Sequence, residues 1–81
     1  MLFRSHLLFL KYGDKPGVVG TVGNILGKAG INIAGMQVAR DVAGGQALAA
    51  LNVDSSISNE IVESLKKETG AELVKAVTLI V

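Results

Sequence analysis

The sequence predicts an α+β domain whose elements run β-α-β-β-α-β, and three observations carry that prediction. Four short apolar stretches have the length and borders of strands, two stretches between them repeat apolar residues at spacings of three and four, and glycine, proline, aspartate or asparagine marks each change. The third observation is size, because 81 residues leave room for one hydrophobic core.

The first strand is His6–Tyr12, HLLFLKY, closed by the turn residues Gly13, Asp14, Lys15, Pro16 and Gly17. The period then changes: Val18, Val22, Ile25 and Ala29 form one helical stripe that Val19 and Leu26 widen, with Thr21, Asn24 and Lys28 opposite. Gly30 is placed to end this helix in the left-handed conformation. Ile31–Arg40 reads as the second strand, with Gly35 marking a bulge or a close backbone approach. A turn over Asp41–Gly45 joins it to a third strand, Gln46–Val53, as a hairpin. Residues Asp54–Asn59 are rich in helix-capping types, and Ile57, Ile61 and Leu65 start a second helix that ends at Gly70. Ala71–Val81 is the fourth strand. This order is the ferredoxin-like arrangement, a four-stranded antiparallel sheet with two helices on one face. Residues 6–81 are expected to form the single domain, with Met1–Ser5 a linker or remnant.

Apolar residues make up 49% of the chain, and mean hydropathy is +0.48. For so small a fold, this predicts that some apolar surface meets another chain or domain. Runs such as Leu7–Leu10 are far below the roughly 20 residues that cross a bilayer, and residues 1–5 lack a secretory signal, so a cytoplasmic location is expected. There is no cysteine, which removes disulfides and thiolate metal sites and leaves oligomerisation as compensation for small size. A net charge of +1, dispersed along the chain, predicts neither nucleic-acid nor membrane binding. The single histidine, His6, has no nucleophile or metal-ligand partner at a recognisable spacing, so no catalytic residue, metal or cofactor is expected in this domain.

Other domains of this topology fit less well. Copper chaperones carry a cysteine pair that is absent here, and RNA-binding versions stack bases on central-strand aromatics, which QALAALNV does not offer. Glycines 17, 20, 23, 27 and 30 match no phosphate-loop pattern. On a helical wheel Gly20, Gly23 and Gly27 form a stripe, which predicts close approach to the sheet or to a partner.

The candidate site is the segment Tyr12–Val18, YGDKPGV, together with Asn32. A loop that leads straight into a helix presents unpaired N–H groups at the positive end of the helix dipole, which suits a carboxylate. Lys15, Pro16, Gly17 and Val18 form that loop and helix start, Asp14 can accept from an ammonium group, and Tyr12 adds a hydroxyl or a wall. Asn32 offers a donor and an acceptor, and the first two strands are expected to bring it to the same rim, so that one chain grips an α-amino acid at both charged ends. The same residues have plainer roles open to them: an Asx turn at Asp14, loop shaping at Pro16 and Gly17, a local cap at Asn32.

The stretch DKPGVVG, followed by GINIAGMQ, resembles the ACT domain family, and specifically the regulatory ACT domain of D-3-phosphoglycerate dehydrogenases. The resemblance covers His6 to Val81, with its specific part in those two motifs. It implies a homodimer formed through a sheet edge and the first helix. It implies L-serine bound at the interface by Tyr12 and Asp14 of one chain and Asn32 of the other. It also implies catalytic domains of an NAD-dependent parent oxidoreductase that feel the ligand by linkage. Some relatives place histidine at the position of Tyr12 and asparagine at that of Asp14. Two further readings stay open: a purely structural dimerisation module, and the regulatory domain of another amino-acid enzyme.

Overall fold

A computed structural model describes residues 4–41 and 45–80. The elements are β1 (Arg4–Gly13), α1 (Val18–Lys28), β2 (Ile33–Asp41), β3 (Gln46–Val53), α2 (Asn59–Thr69) and β4 (Leu73–Ile80). The βαββαβ order is therefore as expected. All four strands form one antiparallel sheet in the order β2-β3-β1-β4, which leaves β2 and β4 as its edges.

Strand parity decides the core. Leu8, Leu10 and Tyr12 of β1 stand opposite Leu51, Ala49 and Ala47 of β3, and all six are buried. Val18, Val22 and Leu26 of α1, with Leu65 of α2, cover them. The alternate residues face away: Leu48, Leu73 and Leu79 are nearly half exposed on the uncovered sheet face. The exposed large apolar residues are thus shared between that open face and other positions, where Val19, Ile33 and Ile80 lie.

Helix ends follow local chemistry. Ser58 caps α2 by accepting from the Ile61 N–H at 3.3 Å, and Gly70 closes it with φ 67°. Gly30 takes φ 75° just past α1, as its position predicts. The bulge expected at Gly35 is present, since the β2–β3 register shifts between Ile33 and Gly35.

One expectation needs correction and another loses one of its two alternatives. Arg4 and Ser5 are not linker: they extend β1 by pairing with Ile80 and Leu79 of β4. Residues 1–3 lie outside the described residues, as do 42–44 of the expected turn and Val81. The stripe of Gly20, Gly23 and Gly27 does not approach the sheet, because a Cβ at any of the three would meet nothing within 4 Å. The wheel placed the stripe beside the apolar face, and the packing leaves it open. Among the described residues no helix is long and apolar enough to cross a membrane, and no cluster of His, Asp or Glu is grouped for a metal ion.

Candidate functional site

The β1–α1 loop is built where β1 ends and the chain must reverse onto the sheet. Gly17 makes the reversal with φ 91°, a region that only glycine enters cheaply, and it stands as the N-cap of α1. No side chain caps this helix. Thr21 bonds back to the Gly17 carbonyl through its N–H (2.9 Å) and hydroxyl (3.0 Å). The helix-start N–H groups thus point into the loop without a side-chain acceptor.

Asp14 anchors the loop in two ways. Its N–H donates to the Gly45 carbonyl at 2.8 Å. Its carboxylate accepts from Arg40 Nε through Oδ1 at 3.3 Å, and Oδ2 lies 3.1 Å from the same nitrogen in an ion pair. Tyr12, Asp14, Lys15, Pro16, Gly17, Val19 and Arg40 line a pocket of about 430 Å³. Volume does not single it out, since the groove between α1 and α2 measures about 550 Å³. What does is Tyr12: its side chain is 2% exposed, and its hydroxyl is the one buried side-chain polar atom among the described residues without a hydrogen-bond partner. Such an orphan costs free energy, and buried hydroxyls normally find partners.

Of the residues singled out from sequence, the structure brings Tyr12, Asp14, Lys15, Pro16 and Gly17 to this pocket. Val18 turns its side chain into the core, where it is 7% exposed, so only its backbone faces the loop. Val19 and Arg40 line the pocket and were not anticipated. The sheet could have announced Arg40, because β1 and β2 run parallel and both end on this rim.

Asn32 is elsewhere, and the expected grip by one chain does not form. Asn32 precedes β2, and Ile33 is level with Val53 and His6 at the far end of the sheet. Tyr12 and Arg40 are both level with Ala47 at the near end. Six residues at about 3.3 Å each put roughly 20 Å between the two sites.

At its own rim Asn32 is held tightly. Its N–H donates to Asp54 Oδ1 at 2.9 Å, its Nδ2 to Asp54 Oδ2 at 3.0 Å, and its carbonyl accepts from the Asp54 N–H at 3.1 Å. With one of its two Nδ2 N–H groups engaged, the Asn32 side chain has its Oδ1 acceptor and a second N–H to offer. The backbone N–H of Asn32, then its amide, hold the Asp54 carboxyl below the usual aspartate range. A depressed folded-state value means the clamp stabilises fully at neutral pH and fades as pH falls through the acid range. Asp54→Ala is accordingly expected to melt below the parent at pH 7, with the gap narrowing once pH falls below about 4, the unfolded-state value of an aspartate; melting curves from pH 7 into the acid range check it, and a gap independent of pH would refute it.

The comparisons with known proteins agree with this architecture. Residues 6–70 match the ACT domain. The chain belongs to the ACT domain family, whose members are regulatory domains. It is 40% identical over 75 residues to a D-3-phosphoglycerate dehydrogenase of Bacillus subtilis, covering 93% of this chain and 14% of that enzyme. It is 43% identical over 61 residues to the one of Methanocaldococcus jannaschii, covering 75% and 12%. This ACT domain thus spans about one-seventh of such relatives. Among solved structures, a formyltetrahydrofolate deformylase from Pseudomonas syringae superposes with a TM-score of 0.79 at 16% identity, over 94% of this chain and 28% of that one. The regulatory subunit of aspartate kinase from Thermus thermophilus superposes at 0.68 and 20% identity, over 100% and 59%. At these identities the superpositions speak to fold alone.

Proposed function

We propose that this ACT domain senses an α-amino acid, L-serine in the first instance, at the seam between two copies. We further propose that it serves as the feedback-control domain of a cytoplasmic, NAD-dependent D-3-phosphoglycerate dehydrogenase. The observation that carries the reading is the placement of Asp14 and Asn32 at opposite ends of the sheet, beside an edge strand. Two copies that join β2 to β2 antiparallel about a two-fold axis set the start of one β2 against the end of the other. Asn32 of one copy then meets the Asp14 pocket of its twin, and the geometry that forbids the site within one chain favours it between two.

The chemistry matches an amino acid. The α1 start attracts a carboxylate, the Asp14 carboxylate an ammonium, and Asn32 Oδ1 accepts from an ammonium or hydroxyl. The open glycine stripe on α1 leaves that helix free to approach a partner closely. Similarity to D-3-phosphoglycerate dehydrogenases favours serine as the ligand and catalytic domains as the recipients of the signal. The mechanism is linkage: a ligand held by both copies stabilises one relative arrangement and biases whatever is attached to it.

Calorimetric titration of the dimer with L-serine and the other amino acids tests the reading. Asp14→Ala should weaken serine binding by about tenfold to a hundredfold, the worth of a hydrogen bond to a charged group. A verified dimer indifferent to every amino acid at millimolar concentration would instead support a purely structural assembly module.

A further inference from the structure

The pocket at the β1–α1 loop has a cationic wall in Arg40, on the last turn-ward residues of β2. Its ion pair with Asp14 is made through Nε, which lies 3.1 Å from Oδ2 and 3.3 Å from Oδ1. A guanidinium has five N–H donors in a planar fork, so one that meets a carboxylate through Nε can serve a second acceptor as well. The Arg40 side chain is 60% exposed and that of Asp14 32% exposed, so the pair is water-screened and adjusts readily to a newcomer. Tyr12 lines the same pocket, and its buried hydroxyl has no hydrogen-bond partner among the described residues, an independent sign that the pocket takes a polar occupant.

We propose that Arg40 is the specificity-determining residue of this pocket: Asp14 takes the ligand's ammonium, and the terminal N–H groups of Arg40 take its carboxylate. This rests on the amino-acid reading above. The fixed Asp14–Arg40 pair is a template of one negative and one positive group, and an α-amino acid carries the complementary charges on one carbon. An amine without a carboxylate sets a cation beside Arg40 and repels it. An acid without an amine sets an anion beside Asp14. Only the zwitterion meets both walls with the right sign, and the uncapped start of α1 adds to the carboxylate side. Lys15 also lines the pocket, but it is a point charge on a flexible stem without the planar fork.

The test uses the full-length protein. All proteinogenic amino acids are first screened by thermal melting, then the tightest binder is titrated calorimetrically beside its decarboxylated amine; for L-serine that amine is ethanolamine. The parent should bind serine and reject ethanolamine. Arg40→Gln should weaken serine about tenfold or more and collapse the serine-to-ethanolamine preference. Arg40→Lys should restore part of that preference, and Lys15→Gln should keep it. An Arg40→Gln protein with the parental preference overturns the proposal, as does an equal collapse in Lys15→Gln. If no amino acid binds the parent, the sensing reading fails and this inference with it; if one binds and the preference ignores Arg40, this inference alone fails.

Discussion

Replacing Leu8 by alanine is expected to destabilise the domain by about 2–5 kcal/mol, the usual cost of a buried leucine truncation. Leu8 has 0% exposure on β1, a central strand, between Leu51 of β3 and Ala76 of β4. Neighbours fixed on both sides by strand pairing cannot close the gap, which favours the upper part of the range. A domain of this size has a total stability of only about 4–12 kcal/mol, so the variant should melt at least about 8 °C lower, at roughly 4–8 °C per kcal/mol. The control is Leu48→Ala. Leu48 is 46% exposed on the open sheet face, where surface changes usually stay within about 0.5 kcal/mol. Chemical denaturation of both variants checks the contrast; equal losses would mean that Leu48 is as buried in solution as Leu8.

That contrast rests only in part on what was legible in the sequence. Strand β3 begins and ends at Gln46 and Val53 as read, because flanking turn residues and a period of two define both borders. Burial of Leu8, Leu10 and Tyr12 was not legible there, because Leu7 and Phe9 make β1 apolar at both parities and only its pairing and the helices decide which face is covered. The bulge at Gly35 was readable because glycine inside a strand pattern has few other uses. Arg4 and Ser5 were misjudged since their strand character comes from pairing with residues 79 and 80 at the far end of the chain. The glycine stripe was half-read for a related reason: a helical wheel gives direction around an axis but not distance to a neighbour.

The site divides along the same line. Everything contributed by the contiguous segment Tyr12–Gly17 was visible, because local turn chemistry builds it. The link from Asp14 to Arg40 spans 26 positions and depends on how β1, β3 and β2 lie side by side. Asn32 was placed on the wrong rim because the end of β1 was matched with the start of β2; parallel strands share starts with starts. The Asp54 clamp on Asn32 was hidden behind a capping role that the residue type also allows.

Tyr12→Phe offers the sharpest separation of structural from functional roles, because its two expected effects have opposite signs. The Tyr12 hydroxyl is buried and has no hydrogen-bond partner among the described residues, an arrangement that costs about 1–3 kcal/mol. Phenylalanine keeps the ring packed between the sheet and α1 and removes that cost, so the ligand-free variant should be at least as stable as the parent and up to about 1 kcal/mol more stable. The proposed ligand reverses the order. A hydroxyl donating to its carboxylate is a charge-assisted bond, and losing it should weaken binding by about tenfold or more. Ligand stabilises a fold in proportion to the logarithm of its concentration over Kd. Melting temperatures of parent and variant should therefore cross as L-serine is raised, with the variant ahead at zero ligand and behind at saturation. A variant less stable without ligand would mean the hydroxyl is already satisfied in the free domain, and a constant gap at all concentrations would remove Tyr12 from the site.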